Sequence, residues 1–266
     1  MLVTAGAACE TRQGGHWPRP SGAMSEAFLW GLLSASSLLL GGLAALRFHV
    51  GSRLLGLVMA FGAGVLISAV AYELVDEAFT TSASSGGIPL GLTAGALTFF
   101  AGDALIDRLG GDDRKSMGGE QAAGSPLAIV LGIVLDGVPE SAVIGLTLLH
   151  GGAVSAAMIV AVFLSNLPEA VAATTGLAAA GWRRRAILLL WTGVVLVSAL
   201  AALAGYGLFG DAAPRTVAFV LSFAAGAILT MLADTMMPEA FARGGKLVGL
   251  ATTLGFGVAF AVSALE

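Results

Sequence analysis

Eight runs of about twenty predominantly apolar residues follow one another along this chain, and that succession limits its fold more than any other feature. They cover roughly 26–46, 54–78, 88–108, 126–149, 153–180, 185–209, 214–240 and 246–265. An α-helix of about twenty residues, rising about 1.5 Å per residue, crosses the roughly 30 Å hydrocarbon core of a bilayer. The runs are apolar all round rather than striped, which argues against a water-soluble bundle. Composition agrees: 57% of the 266 residues are hydrophobic and 11% are charged, against about 25% charged in soluble domains. The 38 glycines let helices approach closely without lipid between them. The expected fold is all-α, a polytopic membrane protein with the lipid bilayer as its solvent.

The same composition excludes other classes. A net charge of −4 gives no reason to expect a nucleic-acid partner. The single cysteine, Cys9, rules out an intrachain disulfide and a Cys-rich metal cluster. His16, His49 and His150 are too scattered to form a histidine site by proximity. Neither a nucleophile–base arrangement nor a phosphate loop is visible, so neither an enzyme nor an organic cofactor is expected. An intramembrane aspartyl protease, suggested by Gly102-Asp103, lacks a convincing second aspartate motif.

Residues 1–24 read as a disordered N-terminal tail, with Pro18 and Pro20 and without the apolar core of a signal peptide. Met24 stands directly before the first apolar run, so the tail also fits an over-extended start. The transmembrane domain is expected to occupy 25–266. Of the thirteen Lys and Arg, ten fall in the first, third, fifth and seventh connections. The positive-inside rule places those connections in the cytoplasm and both termini outside the cell membrane.

Two segments of the chain repeat. At an offset of 162, Phe61, Ala63, Gly64, Ala71, Glu77, Ala78 and Phe79 meet identical residues in the seventh run. Five passes separate the two, so they run in opposite directions, as in the inverted repeats of secondary transporters. The fourth and fifth runs also match, with LDGVPESAVIG at 135–145 and LSNLPEAVAAT at 164–174.

That second pair carries the chemistry. Asp136 and Glu140 are four residues apart and share a helix face, as do Ser165 and Glu169. A carboxylate at the bilayer centre costs roughly 2.5–3.5 kcal/mol, so Asp136, Glu140 and Glu169 together cost on the order of 8–10 kcal/mol. No Lys or Arg lies inside a helix to offset this, which leaves protons or a bound cation. Pro139 and Pro168 lack an N–H, and so free the carbonyls of Leu135 and Leu164 beside the acidic groups. The expectation is that the three carboxylates converge on one oxygen-rich cation site. The alternative is a simple kink with a protonated Glu bonded to backbone. Glu73, Asp76, Glu77, Asp234 and Glu239 are expected toward the outer ends of the second and seventh helices, either as an acidic vestibule or as ordinary interfacial carboxylates. Asp234, the deepest, is a further candidate ligand.

These paired Pro-Glu motifs, with the FGAG…DEAF and FAAG…LADTMMPEAF segments, resemble the bacterial branch of the ZIP (Zrt-, Irt-like) metal transporters. The resemblance covers about 25–266. It implies eight helices in a 3+2+3 inverted-repeat arrangement, exofacial termini and usually a homodimer. It also implies uptake of zinc, iron, manganese or similar divalent ions. Carried over, Asp136, Glu140, Ser165 and Glu169 form the primary metal site. Of the secondary site only Asn166 remains, because Gly137 and Ser198 stand where the family has ligands. A single site with oxygen ligands and no imidazole is therefore expected, better suited to manganese or magnesium than to zinc. The competing expectation is a degenerate relative that binds metal or regulates a partner without transporting.

Overall fold

The computed structural model describes residues 22–82, 86–111, 126–150 and 155–265. Residues 1–21 of the expected tail, with Cys9 and His16, and most of the 109–125 connection lie outside them. Among the described residues the helical segments follow in this order. They are α1 (Ala23–Arg47), α2 (Ser52–Thr81), α3 (Gly87–Ile106), α4 (Pro126–Thr147), α5 (Ala156–Ala179) and α6 (Arg184–Phe209). The last two are α7, which begins as Pro214–Met231 and ends at Met237–Gly244, and α8 (Val248–Ser263). The helix α1 starts at Ala23, so the last two residues of the expected tail are helical.

Among the described residues, seven helices are long and apolar enough to cross a membrane, and no strand occurs. The chain is an all-α, polytopic membrane protein. Its outward faces confirm the solvent: Leu189 is 72% and Leu250 71% exposed, an arrangement suited to acyl chains. The count of seven arises because the seventh and eighth apolar runs form one stretch, Pro214–Ser263, of 50 residues. That stretch reverses at Gly245, whose φ of 64° suits a residue without a Cβ. A 3₁₀ turn, Gly245–Leu247, then leads into α8.

Local chemistry sets the ends of the arms. Ser155 caps α5 by accepting from the Met158 N–H at 3.1 Å. Gly181, at φ 86°, closes the same helix, with Trp182 N–H donating to the Leu177 carbonyl. Pro214 occupies the first turn of α7, where its missing N–H costs nothing.

Glycine-lined contacts fix how the arms pack. A Cβ on Gly64 of α2 would overlap the Thr252 carbonyl of α8, and one on Gly255 would overlap the Phe61 carbonyl. The α3–α7 contact has the same pattern: Gly226 meets the Leu92 carbonyl and Gly95 the Phe223 carbonyl. Phe61 and Phe223, like Gly64 and Gly226, are 162 residues apart, while Leu92 and Thr252, like Gly95 and Gly255, are 160 apart. The first parts of α2 and α7, Ser52–Ala69 and Pro214–Met231, are both 18 residues long. Each passes into a π-helical turn, at Val70–Val75 and Leu232–Met236.

The contacts also give directions. Gly62 meets Met236 and Gly56 meets Arg243 and Gly244, so α7 runs antiparallel to α2. The α8 arm runs parallel to α2, ending where Ser263 donates to Glu73. As a result Arg47, Arg53, Arg108, Arg183, Arg184, Arg185, Arg243 and Lys246 gather at one end of the bundle. Of the described Lys and Arg, only Arg215 lies at the other end. We call the first the basic end.

Candidate functional site

The central helices α4 and α5 remain helical through Pro139 and Pro168. Asp136 stands ten residues after Pro126, and Glu169 ten residues before Ala179. Both helices have these termini at the basic end. At about 1.5 Å per residue, each carboxylate therefore lies about 15 Å in, near the middle of a roughly 30 Å hydrocarbon layer. Sequence spacing and helix direction thus bring the two to a common depth.

The side chains there are buried: Asp136 and Glu140 are each 2% exposed, Asn166 4% and Glu169 8%, and Ser165 is fully buried. Asp136, Gly137, Asn166 and Glu169 line one narrow cavity of about 10 Å³, walled further by Leu38, Ile133, Ala173 and Trp191. Two carboxylates and one amide from two helices therefore face a shared space. Glu140 and Ser165 are buried on the same helices but do not line it; Ser165 Oγ donates to the Val162 carbonyl at 3.1 Å. Among the described residues, no group of three or more His, Cys, Asp and Glu is placed to hold a metal ion. Convergence of all three carboxylates on one point is thus not what this conformation holds. Its cavity takes Asp136 and Glu169, with Glu140 one helical turn away from Asp136.

Other expected features move. The carbonyl freed by Pro168, that of Leu164, lies against α2, where a Cβ on Gly62 would stand 3.2 Å from it. Asp234 is exposed on its π-helical turn and stays outside the cavity, because depth along a helix does not determine which way a side chain faces. The expected common vestibule does not form. Glu239 pairs with Arg243 at 3.3 Å, and Arg243 meets Gly56 near the start of α2, at the basic end. Glu73, Asp76 and Glu77 lie at the opposite end of α2. The antiparallel course of α7 separates the two groups.

Gly137 and Ser198 do meet across α4 and α6, since a Cβ on Gly137 would stand 3.6 Å from Ser198 Oγ. The sequence reading passed over Trp191. Its indole is 1% exposed, lines the cavity and donates from Nε1 to Thr174 Oγ1 at 2.7 Å. It also lies where a Cβ on Gly42 of α1 would be, 2.7 Å from Trp191 Cδ1. The available signal was a buried-helix tryptophan whose N–H needs an acceptor. Ser141 Oγ, beside Glu140, is buried without a hydrogen-bond partner, as is Ser68 Oγ on α2.

Comparison of the chain with protein-family models and with curated proteins returns no match.

Proposed function

We propose that this protein is a ZIP-like transporter that moves a divalent metal cation across the cell membrane toward the cytoplasm. One observation carries the reading: Asp136 and Glu169, from two helices, line a single buried cavity with Asn166 near mid-membrane depth. Carboxylates so placed are costly unless a cation neutralises them, and no Lys or Arg lies inside α4 or α5 to do so. The cargo is the metal itself. Asp136, Asn166 and Glu169 offer it oxygen ligands, and Glu140 is the next station, one turn outward from Asp136.

Eight passes and a 3+2+3 inverted repeat fit this reading. The Pro214–Ser263 stretch would extend about 75 Å if straight, more than twice the hydrocarbon thickness. Its reversal at Gly245 supports two passes. The matched 18-residue arms, the paired π-helical turns and the two equivalent glycine contacts support a repeat relating α1–α3 to α6–α8. The basic end supports a cytoplasmic placement of that face and exofacial termini. Oxygen donors without imidazole or thiolate favour manganese or magnesium over zinc.

A second reading, a non-transporting relative, is favoured by the lack of a three-carboxylate group among the described residues. Metal flux into proteoliposomes separates them. Wild type is expected to carry manganese, and Glu140→Ala and Glu169→Ala to lose at least about 90% of the flux. Equal flux in all three would end the transporter reading, and strong preference for zinc over manganese would end the hard-cation assignment.

A further inference from the structure

Helices α1 and α6 meet at two close approaches. A Cβ on Gly31 would stand 2.6 Å from the Ala202 Cβ, and one on Gly42 2.7 Å from Trp191 Cδ1. Beside this contact the two helices leave a groove of about 990 Å³. Its α1 wall includes Glu26, Trp30, Leu33 and Ser36, which recur at helical spacing on one face, and its α6 wall includes Thr192 and Leu196. That wall faces outward, with Leu33 49% exposed. Glu26 stands in the first turn of α1, at the end away from the basic residues. Leu39, the deepest α1 residue of the groove, is thirteen positions further on, or about 20 Å along the helix. The groove therefore starts at the membrane surface and runs past the middle of a roughly 30 Å hydrocarbon layer. Leu39 and Thr192 adjoin Leu38 and Trp191, which wall the Asp136 cavity, so groove and cavity share one helix pair.

We propose that this groove binds one phospholipid with a primary-amine head group, its ammonium on Glu26 and one acyl chain laid along α1 and α6. Charge complementarity carries the assignment. The apolar walls cannot select a lipid, because acyl tails are as apolar as leucine. Selection falls to the carboxylate at the mouth. Among the described residues no cation pairs with Glu26. A primary ammonium offers it three N–H donors, whereas a choline head group offers none. Trp30, four positions on and about 6 Å deeper, brings an indole N–H to the level of ester and phosphate oxygens. Further in, two hydroxyls ask nothing of a ligand: Ser36 Oγ donates to the Leu33 carbonyl at 2.6 Å and Thr192 Oγ1 to the Leu188 carbonyl at 2.8 Å. A second copy of this chain suits the groove less well, since Arg215 is the one described cation that it brings to that end.

Native mass spectrometry of the full chain tests this, with the protein held in detergent containing equal amounts of phosphatidylethanolamine and phosphatidylcholine of identical acyl chains. Wild type is expected to retain one phosphatidylethanolamine, about threefold in preference to phosphatidylcholine, the size of one partly exposed ion pair. Glu26→Gln keeps the shape of the mouth and is expected to abolish the preference. Asp76→Asn, which removes another exposed carboxylate at the same end, is expected to leave it unchanged. Ser36→Phe fills the groove and is expected to end retention of both lipids. The thermal midpoint of wild type is expected to rise more with phosphatidylethanolamine than with phosphatidylcholine, and Glu26→Gln to lose that difference. Glu26 is exposed, so its variant decides the head group even where Ser36→Phe does not fold. Equal retention of the two lipids by wild type, an unchanged preference in Glu26→Gln, or an equal loss in Asp76→Asn would overturn the assignment. So would a species of twice the mass that holds no lipid and disappears in Ser36→Phe, which would give the groove to a second copy. None of these readouts involves metal flux, so the proposal stands or falls apart from the transport reading.

Discussion

The glycine contacts of the outer arms and the cavity of the two central helices use the same small-residue, apolar vocabulary to opposite ends. In the α2–α8 and α3–α7 contacts, backbone meets backbone so closely that no Cβ fits at Gly64, Gly255, Gly95 or Gly226. At those four glycines the atoms nearest an added Cβ are backbone atoms of the facing helix. Between α4 and α5 the packing leaves a cavity, and two carboxylates and an amide face it. The contrast teaches where rigidity and chemistry divide in this fold. Dispersion and close approach hold the frame, where lipid offers no hydrophobic driving force between helices. The centre carries charge at a cost that the frame must offset.

Substitutions can break or sharpen this contrast. The largest effect is expected at Gly95→Val, whose side chain would strike the backbone of Phe223. A loss of about 3 kcal/mol or more is expected, seen as disappearance of the monodisperse species in detergent chromatography. Next come Asp136→Asn and Glu169→Gln, which keep shape and remove charge. Each is expected to reduce manganese flux at least about tenfold without lowering the thermal midpoint, since burying a carboxylate stabilises nothing by itself. If these variants unfold instead, the centre is part of the frame. Ser263→Ala removes the hydrogen bond to Glu73 that ties the end of α8 to α2, and about 0.6 kcal/mol should be lost on thermal denaturation. Similar in size but opposite in sign is Gly193→Ala, whose Cβ meets no atom within 4 Å. There the midpoint is expected to rise slightly, by the equivalent of roughly 0.5–1 kcal/mol, because alanine favours the helix.

Much of this was legible beforehand, for physical reasons that can be named. Long apolar runs have one solution in lipid, so the helices and their approximate bounds followed from hydropathy, as did the burial expected of Asp136, Glu140 and Glu169. The offset of 162 between Phe61 and Phe223 marked positions that the structure places in equivalent glycine contacts. What spacing could not supply was facing. Asp234 lies deep along its helix but points outward, and Glu239 sits at the opposite end from Glu77 because α7 runs against α2. Helical periodicity on one segment does not reveal its rotation relative to neighbours not yet placed. Trp191 was missed for the same reason: its importance depends on Thr174 and Gly42, which come from two other helices. Glu140 illustrates the remaining gap, since one turn of helix decides whether a carboxylate enters a cavity or stands beside it.

The exchange of partners between the two ends of the sequence has a consequence for biosynthesis. Helix α2 rests on α8, and α3 on α7, so neither triplet can complete its packing with its own members. As the ribosome delivers the chain, α2 must wait in the bilayer until nearly 200 further residues have emerged before Gly64 finds Thr252. Such long-range pairing slows assembly. It also means that two half-chains, each inserted alone, remain incomplete and gain their missing surfaces from each other.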